Sequence, residues 1–248
     1  MQARLIMPKN PRDTLVIAIS GISSHTDRYP LKGIIEKSTE NNLPVLALNS
    51  NESLRAVYPA VKKAESAVEH ISEALQRLKP RKVILVGHSF GGNLIQIMYG
   101  DILRKLKEHA GIQKKPYAIL ISSTRRLEDG PAGLYTVQKL LAPNAKEENV
   151  EKVVSKITEG LNPKNDTLRS SKGPHMIVMH PYDRAFKPEG YTSFFGLLTN
   201  PFVVKAKPTA NQKKPETEAE ALQYHNWEEK EALKQLLEIV MPQILKRA

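Results

Sequence analysis

The sequence predicts an α/β fold, with a mostly parallel central sheet flanked by helices on both faces. Two observations carry that expectation. Short apolar runs of strand length alternate with longer segments whose apolar residues recur at helical spacing. A glycine-rich turn, Gly87-His88-Ser89-Phe90-Gly91-Gly92, also joins one apolar run to a helical segment. The bulk agrees: 248 residues, 40% of them apolar, suit a single domain over 1–248 with a sizeable core.

Residues 14–20 read as a buried strand ending at Gly21, and residues 31–41 as a short helix. A second strand spans 45–48. Residues 53–78 place Ala60, Ala64, Ala67, Val68, Ile71, Leu75 and Leu78 on one helical face, with Pro59 near the start. The third strand is 83–86, followed by a helix over 93–106. The fourth is 118–122, the fifth 175–179 and the sixth 202–204. A last helix begins near Trp227, with Leu233, Leu236, Leu237, Val240 and Ile244 on one face. Ligands in such sheets bind at the carboxyl ends of the strands, where Gly21, Ser89, Ser122 and His180 fall.

Residues 124–172 exceed a simple crossover. They carry Leu134, Val137, Leu140, Leu141, Val150, Val153, Val154 and Ile157 at partly helical spacing. Ordinary crossover helices would also account for this.

Net charge is +11, from 37 basic against 26 acidic residues. A solvated, lysine-rich surface is the simpler account, and peripheral contact with an anionic membrane the sharper one. Nucleic acid is not favoured, because the basic tract 205–214 has no aromatic interleaving and no recognition motif is present. No apolar run approaches membrane-spanning length. The first twelve residues contain no signal-peptide core, so a cytoplasmic location is expected, although a trimmed secreted chain would look the same. With no cysteine, disulfides, thiolate metal sites and a cysteine nucleophile are excluded. Metal-binding, P-loop and dinucleotide motifs are also missing, so the expected chemistry needs neither metal nor cofactor.

The turn at 87–92 has the form G-x-S-x-G-G between strand and helix, the pattern of a nucleophile elbow. Its central residue takes a strained backbone conformation, and the positions two before and two after must be nearly free of side chain. Gly87 and Gly91 satisfy that. The serine hydroxyl is then lifted above the sheet edge beside a helix N-terminus. A glycine-rich turn with a capping serine is the plainer alternative.

At these residues the chain resembles the α/β-hydrolase superfamily, and most of its length can be laid on that pattern. The resemblance implies a catalytic serine, acid and histidine in that chain order. On that resemblance Ser89 is the expected nucleophile. Among seven histidines, His225 stands just before the last helix, where the superfamily places its base. His88 is expected to support the turn, and His70 and His109 to lie exposed on helices. Asp183, following the fifth strand in the segment from His180 to Phe186, resembles the acid loop; Glu128 or Asp129 after the fourth strand is the alternative. An oxyanion needs two backbone donors. Phe90, after the nucleophile, is expected to supply one, and Ile22, after Gly21, is the matching position for the other. Superfamily insertions between the fourth and fifth strands form caps, so 124–172 is expected to include a small helical cap. Leu134, Leu140 and Leu141 would line its acyl pocket. The implied activity is hydrolysis of a carboxylic ester or thioester of a small molecule or lipid. An inactive relative that binds lipid or another anionic partner on the same fold is the competing class.

Overall fold

The computed structural model describes residues 1–21, 25–50, 59–123, 139, 144–160, 167–170, 175–183 and 201–248. In chain order these form β1 (Gln2–Ile6), β2 (Thr14–Ile19), α1 (Leu31–Glu40), β3 (Val45–Asn49), α2 (Ala60–Leu78), β4 (Lys82–His88), α3 (Phe90–Ala110) and β5 (Tyr117–Ile121). There follow α4 (Glu147–Thr158), α5 (Thr167–Ser170), β6 (His175–Met179), β7 (Pro201–Lys205), α6 (Glu218–His225) and α7 (Lys230–Arg247).

The strands make one seven-stranded sheet in the order β1-β3-β2-β4-β5-β6-β7. Every pairing is parallel except β1 with β3. The sheet is therefore mostly parallel, as expected, with one additional antiparallel edge strand.

The alternation of side chains along each strand divides the core in two. Leu15, Ile17, Ile19 and Leu85 face α2, α3, α4 and α5, whereas Val16, Ala18, Ile84 and Val86 face α1 and α7. β2 is buried along its whole length, which explains why it reads as a continuous apolar run. Among the described residues, no helix is long and apolar enough to cross a membrane.

Several boundaries differ from expectation. α2 starts after Pro59, which takes the N-cap position, where its missing N–H leaves no gap in the helical ladder; residues 51–58 lie outside the described residues. α3 starts at Phe90 rather than 93, directly after Ser89. α7 starts at Lys230, because Trp227 at φ 54° breaks the chain between it and α6. His70 and His109 are partly buried rather than exposed, His109 where α3 packs on α2 and His70 beside the first residue of the chain. His109 Nε2 lies 2.9 Å from Ser72 Oγ, and His70 Nε2 lies 3.2 Å from the Met1 carbonyl.

Within 124–172, α4 buries Val150, Val154 and Ile157 and α5 buries Leu168, all in the same core cluster as α2 and α3. Leu134, Leu140 and Leu141 lie outside the described residues.

Candidate active site

β4 runs into α3 through a single residue, Ser89, held at φ 53° and ψ −124°. Its N–H donates to the Ile121 carbonyl of β5 at 2.8 Å, pinning the turn to the neighbouring strand. The flanking glycines are needed for different reasons. A Cβ on Gly87 would lie 2.6–2.7 Å from backbone atoms of Gly91 and Gly92. A Cβ on Gly91 would overlap the Ile19 carbonyl at the end of β2, and one on Gly92 would overlap the Ser123 hydroxyl. The Gly87 clash lies within the turn, while the others are with adjacent strand ends.

The turn places the Ser89 hydroxyl against a histidine and an aspartate from distant parts of the chain. His225 Nε2 lies 3.0 Å from Ser89 Oγ. His225 Nδ1 lies 3.2 and 3.0 Å from the two Asp183 carboxylate oxygens. A carboxylate only accepts, so the imidazole proton sits on Nδ1 and the Nε2 lone pair faces the serine hydroxyl. All three residues are buried, so the hydrogen bonds operate with little competition from water.

Each partner is held locally. Asp183 follows β6 in a turn where its N–H donates to the His180 carbonyl at 3.0 Å. The Tyr182 N–H donates to His180 Nδ1 at 3.2 Å. His225 ends α6, whose start is fixed by a capping box: Thr217 accepts from the Glu220 N–H, and the Glu220 carboxylate accepts from the Thr217 N–H. The residues around His225 fasten the helix end to the sheet. Tyr224 stacks on His180 at 4.4 Å between ring centroids. Trp227 donates from Nε1 to Ser122 Oγ at 3.0 Å.

His88 has a different task from the one expected. Its Nε2–H donates 2.9 Å to the His225 carbonyl, so it secures the backbone of the neighbouring histidine rather than the turn itself. That carbonyl closes α6 and has no later turn to bond. Burial, reinforced by the neighbouring His225, lowers the His88 pKa from 6.5 to about 3. Burial also lowers His180, to about 4.

These shifts give a pH prediction. Between about pH 6.5 and 3 the unfolded chain protonates His88 and the folded chain does not. Stability from this group is therefore complete above pH 6.5 and declines as pH falls. Going from pH 7 to pH 5 should remove about 2 kcal/mol through His88 alone. Urea denaturation of His88→Gln, which keeps a donor but does not titrate, should show a pH 7-to-5 loss smaller by about that amount.

Phe90 is the first residue of α3, so its N–H belongs to the helix-start group with no intrahelical acceptor. A Cβ on Gly21 would lie 3.0 Å from Ser89 Cβ and 3.5 Å from its Oγ, so a glycine here keeps the space before the hydroxyl open. Ile22 lies outside the described residues, as do Glu128 and Asp129. Among the described residues, no three histidine or carboxylate side chains converge in a metal-binding group.

The architecture is shared with known structures. Est1E from Butyrivibrio proteoclasticus, solved with ferulic acid bound, aligns over 99% of this chain and 94% of its own at 17% identity, with a TM-score of 0.61. MGS-MChE2, an alpha/beta hydrolase enzyme from the metagenome of Mar Chica lagoon sediments in Morocco, aligns over 100% and 96% at 14% identity, with a TM-score of 0.55. The chain has the α/β-hydrolase fold. The esterase EaEST from Exiguobacterium antarcticum is similar over 82% of this chain and 85% of its own, at 13% identity and a TM-score of 0.53. No family model and no curated protein sequence matches. Within this α/β-hydrolase fold, Ser89, Asp183 and His225 stand at the carboxyl ends of the sheet, in that chain order.

Proposed function

We propose that the protein is a serine hydrolase that cleaves a carboxylic ester or thioester through an acyl-enzyme on Ser89. The observation that carries this reading is the continuous hydrogen-bonded line from Ser89 Oγ through the His225 ring to the Asp183 carboxylate. An esterase and a hydrolase among the similar structures support the same class.

Ser89 Oγ attacks the acyl carbon while His225 Nε2 takes its proton. Asp183 keeps the other imidazole proton on Nδ1 and stabilises the ring as it becomes positive. The developing oxyanion is held by the Phe90 and Ile22 amides. Collapse breaks the bond to the alcohol or thiol, which leaves with the proton from His225. Water then loses a proton to His225 and attacks the acyl-enzyme, releasing the acid and restoring Ser89.

The acyl group is that of a small molecule or lipid. Part of 124–172 caps the site in this reading, with Leu134, Leu140 and Leu141 along the acyl pocket. An apolar wall favours each further methylene by about 0.8 kcal/mol, or about fourfold in kcat/KM, until the pocket is full. A panel of p-nitrophenyl esters and acyl thioesters of graded length tests both points. Hydrolysis is expected, with kcat/KM climbing to a plateau, and a Leu140→Asn, Leu141→Asn double variant should weaken long chains while sparing acetyl. No turnover of any member would overturn the hydrolase reading. Equal loss on long and short chains would place these leucines in the core.

A further inference from the structure

The turn that carries Asp183 and the helix end that carries His225 meet through aromatic side chains. His180 and Tyr182 come from the turn after β6, and Tyr224 and Trp227 from the end of α6. His180 stacks on Tyr224 at 4.4 Å between centroids, with 21° between the planes, and meets Trp227 edge-on at 5.5 Å. Tyr182 packs edge-on against Tyr224 at 5.2 Å. His180, Tyr224 and Trp227 are buried. Tyr182 directly precedes Asp183, and Tyr224 directly precedes His225.

Packing alone would not require a histidine at the centre of this cluster. His180 Nδ1 accepts the Tyr182 N–H at 3.2 Å, and the His180 carbonyl accepts the Asp183 N–H at 3.0 Å. Nδ1 therefore carries a lone pair, and the ring proton sits on Nε2. Burial holds the ring in this neutral form against the Gln212 side chain and the Asp183 and Glu229 carboxylates, which favour the charged one. One residue thus binds the backbone on which Asp183 is mounted, while its ring face supports the residue before His225. α6 is eight residues long with no strong apolar face, so its end depends on such neighbours for its position.

We propose that His180 is a positioning residue that joins the acid turn to the end of α6 and so sets the Asp183–His225 hydrogen bond. The inference rests on the hydrolase reading for what that pair does, and on the ring contacts and hydrogen bonds for how it is held. Without the lone pair, the Tyr182 N–H loses its acceptor and the turn relaxes around Asp183. Without the ring, Tyr224 loses its stacking partner and His225 shifts with the helix end. His88 still anchors the His225 carbonyl, so the loss is partial.

The test uses the full chain with His180→Phe, which keeps a ring face, and His180→Asn, which keeps an acceptor. On the best p-nitrophenyl ester, with active sites counted by complete fluorophosphonate titration, kcat is expected to fall by roughly 10- to 100-fold in each. A displacement of about 1 Å causes a loss of that size. KM should stay within about twofold, because the pair acts on the transition state. Crystal structures should show the Asp183–His225 contact lengthened, by movement of the turn in His180→Phe and of the ring in His180→Asn. Each variant removes one half of the joint, so a wild-type contact or a wild-type kcat in either would overturn the proposal. If either fails to fold, Tyr224→Leu and Tyr224→Phe probe the other side of the stack. The first should lose kcat as above and the second retain it, and equal kcat would overturn the proposal. Wild-type protein inert toward every ester would instead overturn the hydrolase reading, and the crystallographic distance would still decide the joint.

Discussion

Ser89→Ala is expected to reduce kcat on a cleaved ester by about 10⁶, leaving only what transition-state binding without a nucleophile supplies. The size follows from the geometry, in which Ser89 is the hydroxyl within reach of the His225 lone pair. The fold should survive, because the turn is fixed by backbone bonds and by glycines rather than by the hydroxyl. A second variant separates chemistry from strain. Ser89 is held at φ 53°, a conformation that penalises any Cβ. Ser89→Gly should be equally inactive yet more stable than Ser89→Ala by about 1 kcal/mol. Ester turnover with paired denaturation curves checks both. Residual turnover within tenfold of wild type would remove Ser89 from the mechanism.

Asp183→Asn is expected to lower kcat by about 10⁴ with little change in KM. The carboxylate only accepts from His225 Nδ1, whereas an amide also donates. Its NH₂ would favour the tautomer with the proton on Nε2, and that ring cannot take the Ser89 proton. Little structural disturbance is expected, since the Asp183 backbone is held independently by the His180 carbonyl. Steady-state kinetics of Asp183→Asn beside Glu128→Gln and Asp129→Asn is the check. The first should be crippled and the other two near normal. The reverse pattern would move the acid to the end of β5.

The parts of this fold that were legible in sequence are those buried on both faces. β2, β4 and β5 read as unbroken apolar runs because helices cover them on each side. β1 was not legible. Gln2, Ala3 and Arg4 are exposed on an edge strand, so composition carries no signal of pairing with β3. α6 is short, with no strong apolar face, and only the Thr217 and Glu220 capping pair marks its start. The glycine-flanked serine was visible as a local pattern, and the aspartate and histidine through a resemblance in chain order. The groups that hold them were not. His88 reaches the His225 carbonyl, Trp227 reaches Ser122, and His180 reaches Tyr224 across tertiary contacts that no spacing encodes.

The central claim is that Ser89 is a hydroxyl activated by His225. Labelling with a fluorophosphonate, followed by peptide mapping, tests it most directly, because the reagent needs an activated nucleophile but no knowledge of the substrate. A single stoichiometric adduct on Ser89 is predicted, lost in Ser89→Ala and strongly slowed in His225→Ala. An adduct on Ser20, Ser23 or Ser122, or no adduct at all, would contradict the account.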